Sequence, residues 1–244
     1  MTVRPGRLPV WWVRSVRPPA DPVAGDASTV VVHAIATDER PDRSVVEVDD
    51  LPPGRTVATG RLGRVAMRSD TLQLLRSELT TPTGAPPLVL VERIVRDASP
   101  VLAELIAFPH AVVAVRAATF GADVAPGSVL TLADAARIGL AAEDQVGAVK
   151  WRAGTGQVLE VYVAPAHRRR GVATFLLFSA EGAAAARGWP RLWGGGVRTA
   201  LGEALVTRLR WGVGRVAPLA EVAPPMTPVE DTLGVPRRHL EPLD

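Results

Sequence analysis

Three consecutive arginines, Arg168, Arg169 and Arg170, stand directly before Gly171, Val172, Ala173 and Thr174. An apolar run, QVLEVYV (157–163), and the dipeptide Ala164-Pro165 precede them. The helix that opens after Gly171 exposes unpaired backbone N–H groups and the positive end of its dipole, an arrangement that binds phosphate. Gly171 lets a bulky diphosphate approach the main chain, the small Ala173 keeps the next approach clear, and the arginines add positive charge. The chemistry this spacing predicts is a diphosphate cradle. Two groups that could move protons lie just upstream, Glu160 and Tyr162, and a period of two puts both on one face of a strand. Glu160 is the candidate general base, with a cross-strand partnership to Lys150 or Arg152 as the competing reading. Tyr162 reads more readily as a packed core aromatic than as an acid. His167, in the turn, reads as solvated or anion-contacting, and His33 and His110 as structural.

The elements that must position these residues are legible around them. VGAVKW (146–151), a turn over 152–156 containing Gly154 and Gly156, and QVLEVYVAP (157–165) form a hairpin. A helix follows, with Val172, Leu176, Ala180 and Ala184 in one stripe, until Gly188 and Pro190 stop it. Arg191–Trp193 reads as a short strand, and Thr199–Trp211 as a last helix. Upstream, Leu88–Val95 (LVLVERIV) reads as a buried strand, and a capped helix is expected after Thr131. Helices are also expected over Asp70–Leu79, with Ser69 as N-cap, and from Ser99-Pro100 through Phe108 to a stop at Pro109. AVVAVRAATF (111–120) fits a strand or a helix. Thr29–Thr37 and Ser44–Val48 read as strands, and the first 25 residues, with five prolines, as an extended lead-in whose Trp11 and Trp12 pack on something.

Arg168-Arg169-Arg170-Gly171-Val172-Ala173 resembles the Q/R-x-x-G-x-G/A signature of the GNAT superfamily of acyltransferases, and Val161–Pro165 is similar to that family's fourth strand. The resemblance implies an α+β fold with flanking helices, in which a mixed, mostly antiparallel sheet is split around acetyl-CoA as co-substrate. It further implies that Val161 and Val163 contact pantetheine through their main chain beside Tyr162, and that the amides from Arg169 through Val172 to Thr174 hold the pyrophosphate. Arg168 occupies the first position of the signature. The implied reaction is direct transfer of an acetyl group to a primary amine of a small molecule or protein, with no metal and no covalent enzyme intermediate. The family's last helix often carries an asparagine near its start and a tyrosine near its end that protonates the leaving thiolate. TALGEALVTRLRWG holds neither, and Tyr162 is the only tyrosine in the chain. A silent acyl-CoA-binding protein is therefore the rival reading.

Composition narrows the remaining classes. With 244 residues, 47% of them hydrophobic, the chain can bury a substantial core. It has no cysteine, which excludes disulfides, thiolate metal ligands and thiol nucleophiles. A net charge of +3 is too small for the footprint of a nucleic-acid binder. No apolar run is long enough to span a membrane, and Leu8–Val13, broken by Pro9, is too short for a signal segment, so a cytoplasmic protein is expected. Residues 88–215 read as the acetyltransferase domain and 216–244 as a proline-rich tail. Residues 1–87 form an extension for which covering the acceptor site, mediating a homodimer, or preserving a degenerate second copy of the fold are the open roles.

Overall fold

The structure, a computed structural model, describes residues 10–17, 28–36, 45–47, 61–79, 84–208 and 216–224. The described residues begin with five strands: β1 (Val10–Arg17), β2 (Thr29–Ala36), β3 (Val45–Glu47), β4 (Arg61–Arg68) and β5 (Leu74–Leu79). They form one sheet in the order β3-β1-β2-β4-β5, antiparallel except for the β1–β3 pair. The stretch read as a proline-rich lead-in thus contributes a full strand. Eight-residue pairing with Thr29–Ala36 supplies the backbone partners that the irregular sequence pattern concealed.

A second sheet begins with β6 (Leu88–Val95) and β7 (Leu102–Pro109). The chain continues through α1 (His110–Ala118), β8 (Val129–Thr131) and α2 (Leu132–Arg137). The hairpin β9 (Gly147–Arg152) and β10 (Gln157–Val163) follows, then α3 (Val172–Arg187) and β11 (Trp193–Gly194). The sheet order is β11-β10-β9-β7-β6-β8, with β10–β11 and β6–β8 parallel and the other pairs antiparallel. This is the mixed, mostly antiparallel sheet that was expected. The described residues close with β12 (Val197–Thr199), α4 (Ala200–Arg208) and β13 (Glu221–Ala223), and β12 pairs with β13 in parallel. The ends of the readings at Thr37, Ser44, Val48 and Trp211, and the tail beyond residue 224, lie outside the described residues, as does the side chain of Trp11.

Two expected helices are strands. In 70–79, Leu72, Leu75 and Leu79 were to share a helical face, but Leu72 sits in the β4–β5 connection with φ 58° and is 40% exposed, while Leu74 is buried. Antiparallel pairing with β4 overrides the leucine spacing there. Ser69 is part of the turn, where the Asp70 carboxylate accepts the N–H of Thr71 and pairs with Arg68. That arginine, foremost, holds the Asp70 carboxyl at about 2. In 99–108, Ala103, Leu105 and Ala107 alternate into the core while Glu104 faces away, a period of two that the proline at position 100 obscured. Pro109 does not stop a helix; it closes β7 and stands as the residue before α1, so AVVAVRAA belongs to a helix. The helix expected after Thr131 is present as α2, with a capping box in which the Thr131 hydroxyl accepts the Asp134 N–H at 3.0 Å.

Helix α3 lies between the two sheets. Every residue from Phe175 to Ala186 is buried, because both sheets bury an apolar face on this one helix. Trp12, Val30, Val32, Ala34, Val65, Met67 and Leu74 come from the first sheet, and Leu90, Ala103, Leu105, Val149 and Trp151 from the second. A run of small residues in SAEGAAAA allows the close approach. A Cβ on Gly182 would lie 2.5 Å from Val65 Cγ2 and 2.9 Å from Trp12 Cη2. Polar contacts cross the same contact surface, with Ser77 Oγ and Ser179 Oγ 2.7 Å apart and buried. Gly182→Val is therefore expected to lower the unfolding free energy by about 1–3 kcal/mol, read as a lower urea midpoint. An unchanged midpoint would contradict this packing. A separate cluster of Val89, Val91, Phe108, Val113, Ala117 and Ile138 packs α1 and α2 on the opposite face of the second sheet.

Candidate acyl-donor and acceptor site

The hairpin sequence explains the first wall. Its tight turn is closed by the Gly156 N–H donating to Arg152 O at 2.8 Å, and Gly156 O in turn accepts the N–H of Trp193 at 2.9 Å. Trp193 Nε1 also donates to Thr155 O. These bonds pin β11 to the start of β10, where Gln157 pairs with Trp193 and Val158 with Gly194. Beyond Val158 no strand among the described residues pairs with that edge of β10. The two parallel strands part there, and the edge from Glu160 to Val163 is left open toward the Gly194–Gly196 loop.

The loop itself is held firmly. Arg198 donates through Nη1 to Gly195 O (2.5 Å) and Ala217 O (2.9 Å), and through Nε and Nη2 to Glu203 Oε2 on α4. No motif in the sequence marks Arg198 as the residue that fastens the loop. The other side of β11 is covered by Val216, bridged to Gly194. The opening between the strands is thus a built feature with two anchored sides.

An irregularity decides which side chains face where. The register of β10 against β9 shifts between Val158 and Glu160, a bulge that inserts Leu159. Val161 and Val163 therefore join Val158 against the core beside α3. Glu160 and Tyr162 occupy the other face, opposite Lys150 and Ala148. Glu160 Oε2 lies 3.6 Å from Lys150 Nζ, with the carboxylate side chain 55% exposed, so the cross-strand partnership weighed against a catalytic role is present. Lys150 is also opposite Glu104, which in turn is opposite Arg93 and 3.6 Å from it. Four adjacent strands thus carry an alternating charge ladder, Arg93, Glu104, Lys150 and Glu160, on the face away from α3.

The strand leads directly into the basic turn. Ala164 N–H continues the hairpin to Val146 O, and a short turn at Pro165–His167 reverses the chain. Arg168 does not extend outward; its Nε donates to Val163 O at 3.1 Å and braces the turn against the strand. Arg169 and Arg170 are exposed. The backbone is left-handed at Arg169 (φ 61°) and again at Gly171 (φ 76°), which precedes α3 and offers no capping side chain. The amides of Val172, Ala173 and Thr174 at this helix start receive no side-chain cap, and their donors can take an anion. A diphosphate with an extended arm fits these features, the phosphates at the uncapped helix start and the arm along the open edge of β10.

A cavity of about 580 Å³ adjoins the same turn, lined by Pro109, Val112, Glu143–Val146 and Ala164–His167. Nothing in the sequence signalled it, because its walls come from three separate segments. Asp144 on its rim is engaged, pairing with Arg116 Nη2 at 2.5 Å and accepting the Ala141 N–H. His33 is buried in the first sheet and His110 is bonded to Val124 O, so neither lies at the site.

With this geometry in place, comparison with known proteins supplies the class. Residues 114–202 match the family model described as Acetyltransferase (GNAT) family. That span runs from within α1 to the first turn of α4 and contains the whole β9–β10–α3–β11 unit. Residues 114–202 thus resemble a GNAT-family acyltransferase unit, set within a fold of the α+β class. The first sheet and the β6–β7 hairpin lie outside the match. No curated protein and no solved structure matches the chain.

Proposed function

We propose that the chain is an N-acetyltransferase that takes its acetyl group from acetyl-CoA and delivers it to a primary amine of a small molecule or protein. The observation that carries this reading is the open edge of β10 beyond Val158, which runs without interruption into the uncapped start of α3 at Gly171. In this reading the amides from Arg169 to Thr174 hold the pyrophosphate, with charge from Arg169 and Arg170. The main chain at Val161 and Val163 pairs with pantetheine as a strand would, and a backbone N–H on β10 supports the thioester oxygen as charge develops. The donor supplies an activated acyl group, so the residues of the chain need only orient it, exclude water and handle protons. Glu160 takes the acceptor's proton directly or through water, and Tyr162 on the same face borders the acceptor.

A second reading rests on one specific observation. Helix α4 contains no tyrosine among Ala200–Arg208, so the family's usual proton donor to the departing thiolate is missing, and the domain would bind acyl-CoA without turnover. Thiol release from acetyl-CoA in the presence of a panel of primary amines separates the two. An active enzyme releases many thiols per chain only when an amine is present, and Glu160→Gln is expected to lower kcat by about 10²–10⁴ with the KM for acetyl-CoA unchanged. Cofactor binding with no amine-dependent thiol release from any member of the panel would favour the silent domain.

A further inference from the structure

Lys150 is the only lysine among the 28 lysine and arginine residues of the chain. Everywhere else a positive side chain is an arginine, including the buried and half-buried pairs Arg187–Glu92, Arg191–Glu181 and Arg198–Glu203. A guanidinium makes the better ion pair with a carboxylate, being planar and able to bond in two places at once. What a guanidinium cannot do is give up its proton and act as a nucleophile. The chain's one lysine amine, which can do both, stands in the middle of β9, next to the strand whose far edge is open.

Its surroundings suit that chemistry. Lys150 lies between Glu104 and Glu160 in the cross-strand register, and its Nζ is 3.6 Å from Glu160 Oε2. Its side chain therefore already extends over β10, across a strand spacing of about 4.8 Å. The side chain is 31% exposed, and the helices on this face, α1 and α2, pack over β6 and β7. A single strand, β10, separates its backbone from the open edge.

We infer that Lys150 is a site of self-acylation, its ε-amine accepting the acyl group from the donor held on its own chain. This rests on the reading that β10 and α3 bind acetyl-CoA. The Lys150 ammonium passes one proton to the Glu160 carboxylate, and the neutral amine attacks the acyl carbon. The new C–N bond forms as the C–S bond breaks. The second proton lost from nitrogen goes to the departing sulfur, leaving an amide, a free thiol and one proton that Glu160 returns to water.

The test incubates the full chain with acetyl-CoA and no amine, then measures intact mass and maps peptides. Wild-type protein is expected to gain one acetyl group at Lys150, at a first-order rate that does not depend on protein concentration. Lys150→Arg and Lys150→Gln, both checked for fold by circular dichroism, are expected to gain none there. Gly171→Glu retains Lys150 but is expected to lose the modification, whereas acetyl phosphate, a donor without the nucleotide, should treat it and the wild type alike. Calorimetry on the same samples separates the failures. Wild-type protein that binds acetyl-CoA yet stays unmodified at Lys150 overturns the self-acylation alone, as does equal modification of Gly171→Glu. Absence of binding overturns the donor site and this inference with it.

Discussion

Gly171→Glu is expected to remain folded and to lose its stabilisation by acetyl-CoA. Gly171 stands before α3 with φ 76° and offers the helix no capping side chain. A glutamate there would bring a carboxylate to the amides of Val172, Ala173 and Thr174, occupying the phosphate position and repelling a second anion. The left-handed backbone adds a cost of about 1–2 kcal/mol for a residue bearing a Cβ. Ligand at about 100 times its Kd should stabilise the wild-type chain by about 2.7 kcal/mol, and the variant by nothing measurable. Gly171→Asn, which tolerates left-handed backbone and brings no charge, should keep a fraction of the effect. Equal stabilisation of Gly171→Glu and wild type would mean that the pyrophosphate lies elsewhere.

The second large effect concerns the far end of the same helix. The Arg187 side chain is fully buried, donating to Glu92 Oε2 at 2.7 Å and to Leu72 O at 2.6 Å, with its guanidinium 4.9 Å from the centre of the Trp189 ring. One residue thus ties the last turn of α3 to the β4–β5 connection and to β6. Arg187→Ala would leave the Glu92 carboxylate, itself 10% exposed, without its cation. Such a loss costs about 3–5 kcal/mol, enough to remove much of a domain's stability. Pairing the change with Glu92→Leu should recover part of the loss, since two apolar groups bury more cheaply than one unpaired charge. Urea unfolding of the single and double variants reads this directly. A double variant no more stable than Arg187→Ala would place the cost in lost packing instead.

Where local and tertiary forces agreed, the sequence was readable. Gly154 and Gly156 marked the hairpin turn, a four-residue apolar spacing marked α3, and the two glycines at its ends set its limits, so the segment from β9 to the end of α3 stands where it was read. Even the Lys150–Glu160 partnership followed from cross-strand spacing. The failures came where long-range pairing outweighed local pattern. Leu72, Leu75 and Leu79 have helical spacing, but β5 pairs with β4 along one edge and meets Gly127 and Ser128 on the other, partners that no local pattern encodes. Of the five-stranded sheet, β2 and β3 were readable as strands, but β1, β4 and β5 and their assembly were not, for the same reason. Its apolar face is completed by a helix far along the chain, as the approach of Trp12 and Val65 to Gly182 illustrates. The bulge at Leu159 and the pairing of Arg187 with Glu92, 95 residues away, have no sequence signature.

The central claim is that the open edge of β10 and the start of α3 together form an acetyl-CoA site, and titration calorimetry of acetyl-CoA into the wild-type chain tests it most directly. The account predicts saturable binding of one molecule per chain, weakened by added salt because part of the attraction is between phosphates and the arginine turn. An absence of binding heat at two temperatures, with no protection of the chain from thermal unfolding by the same ligand, would contradict it.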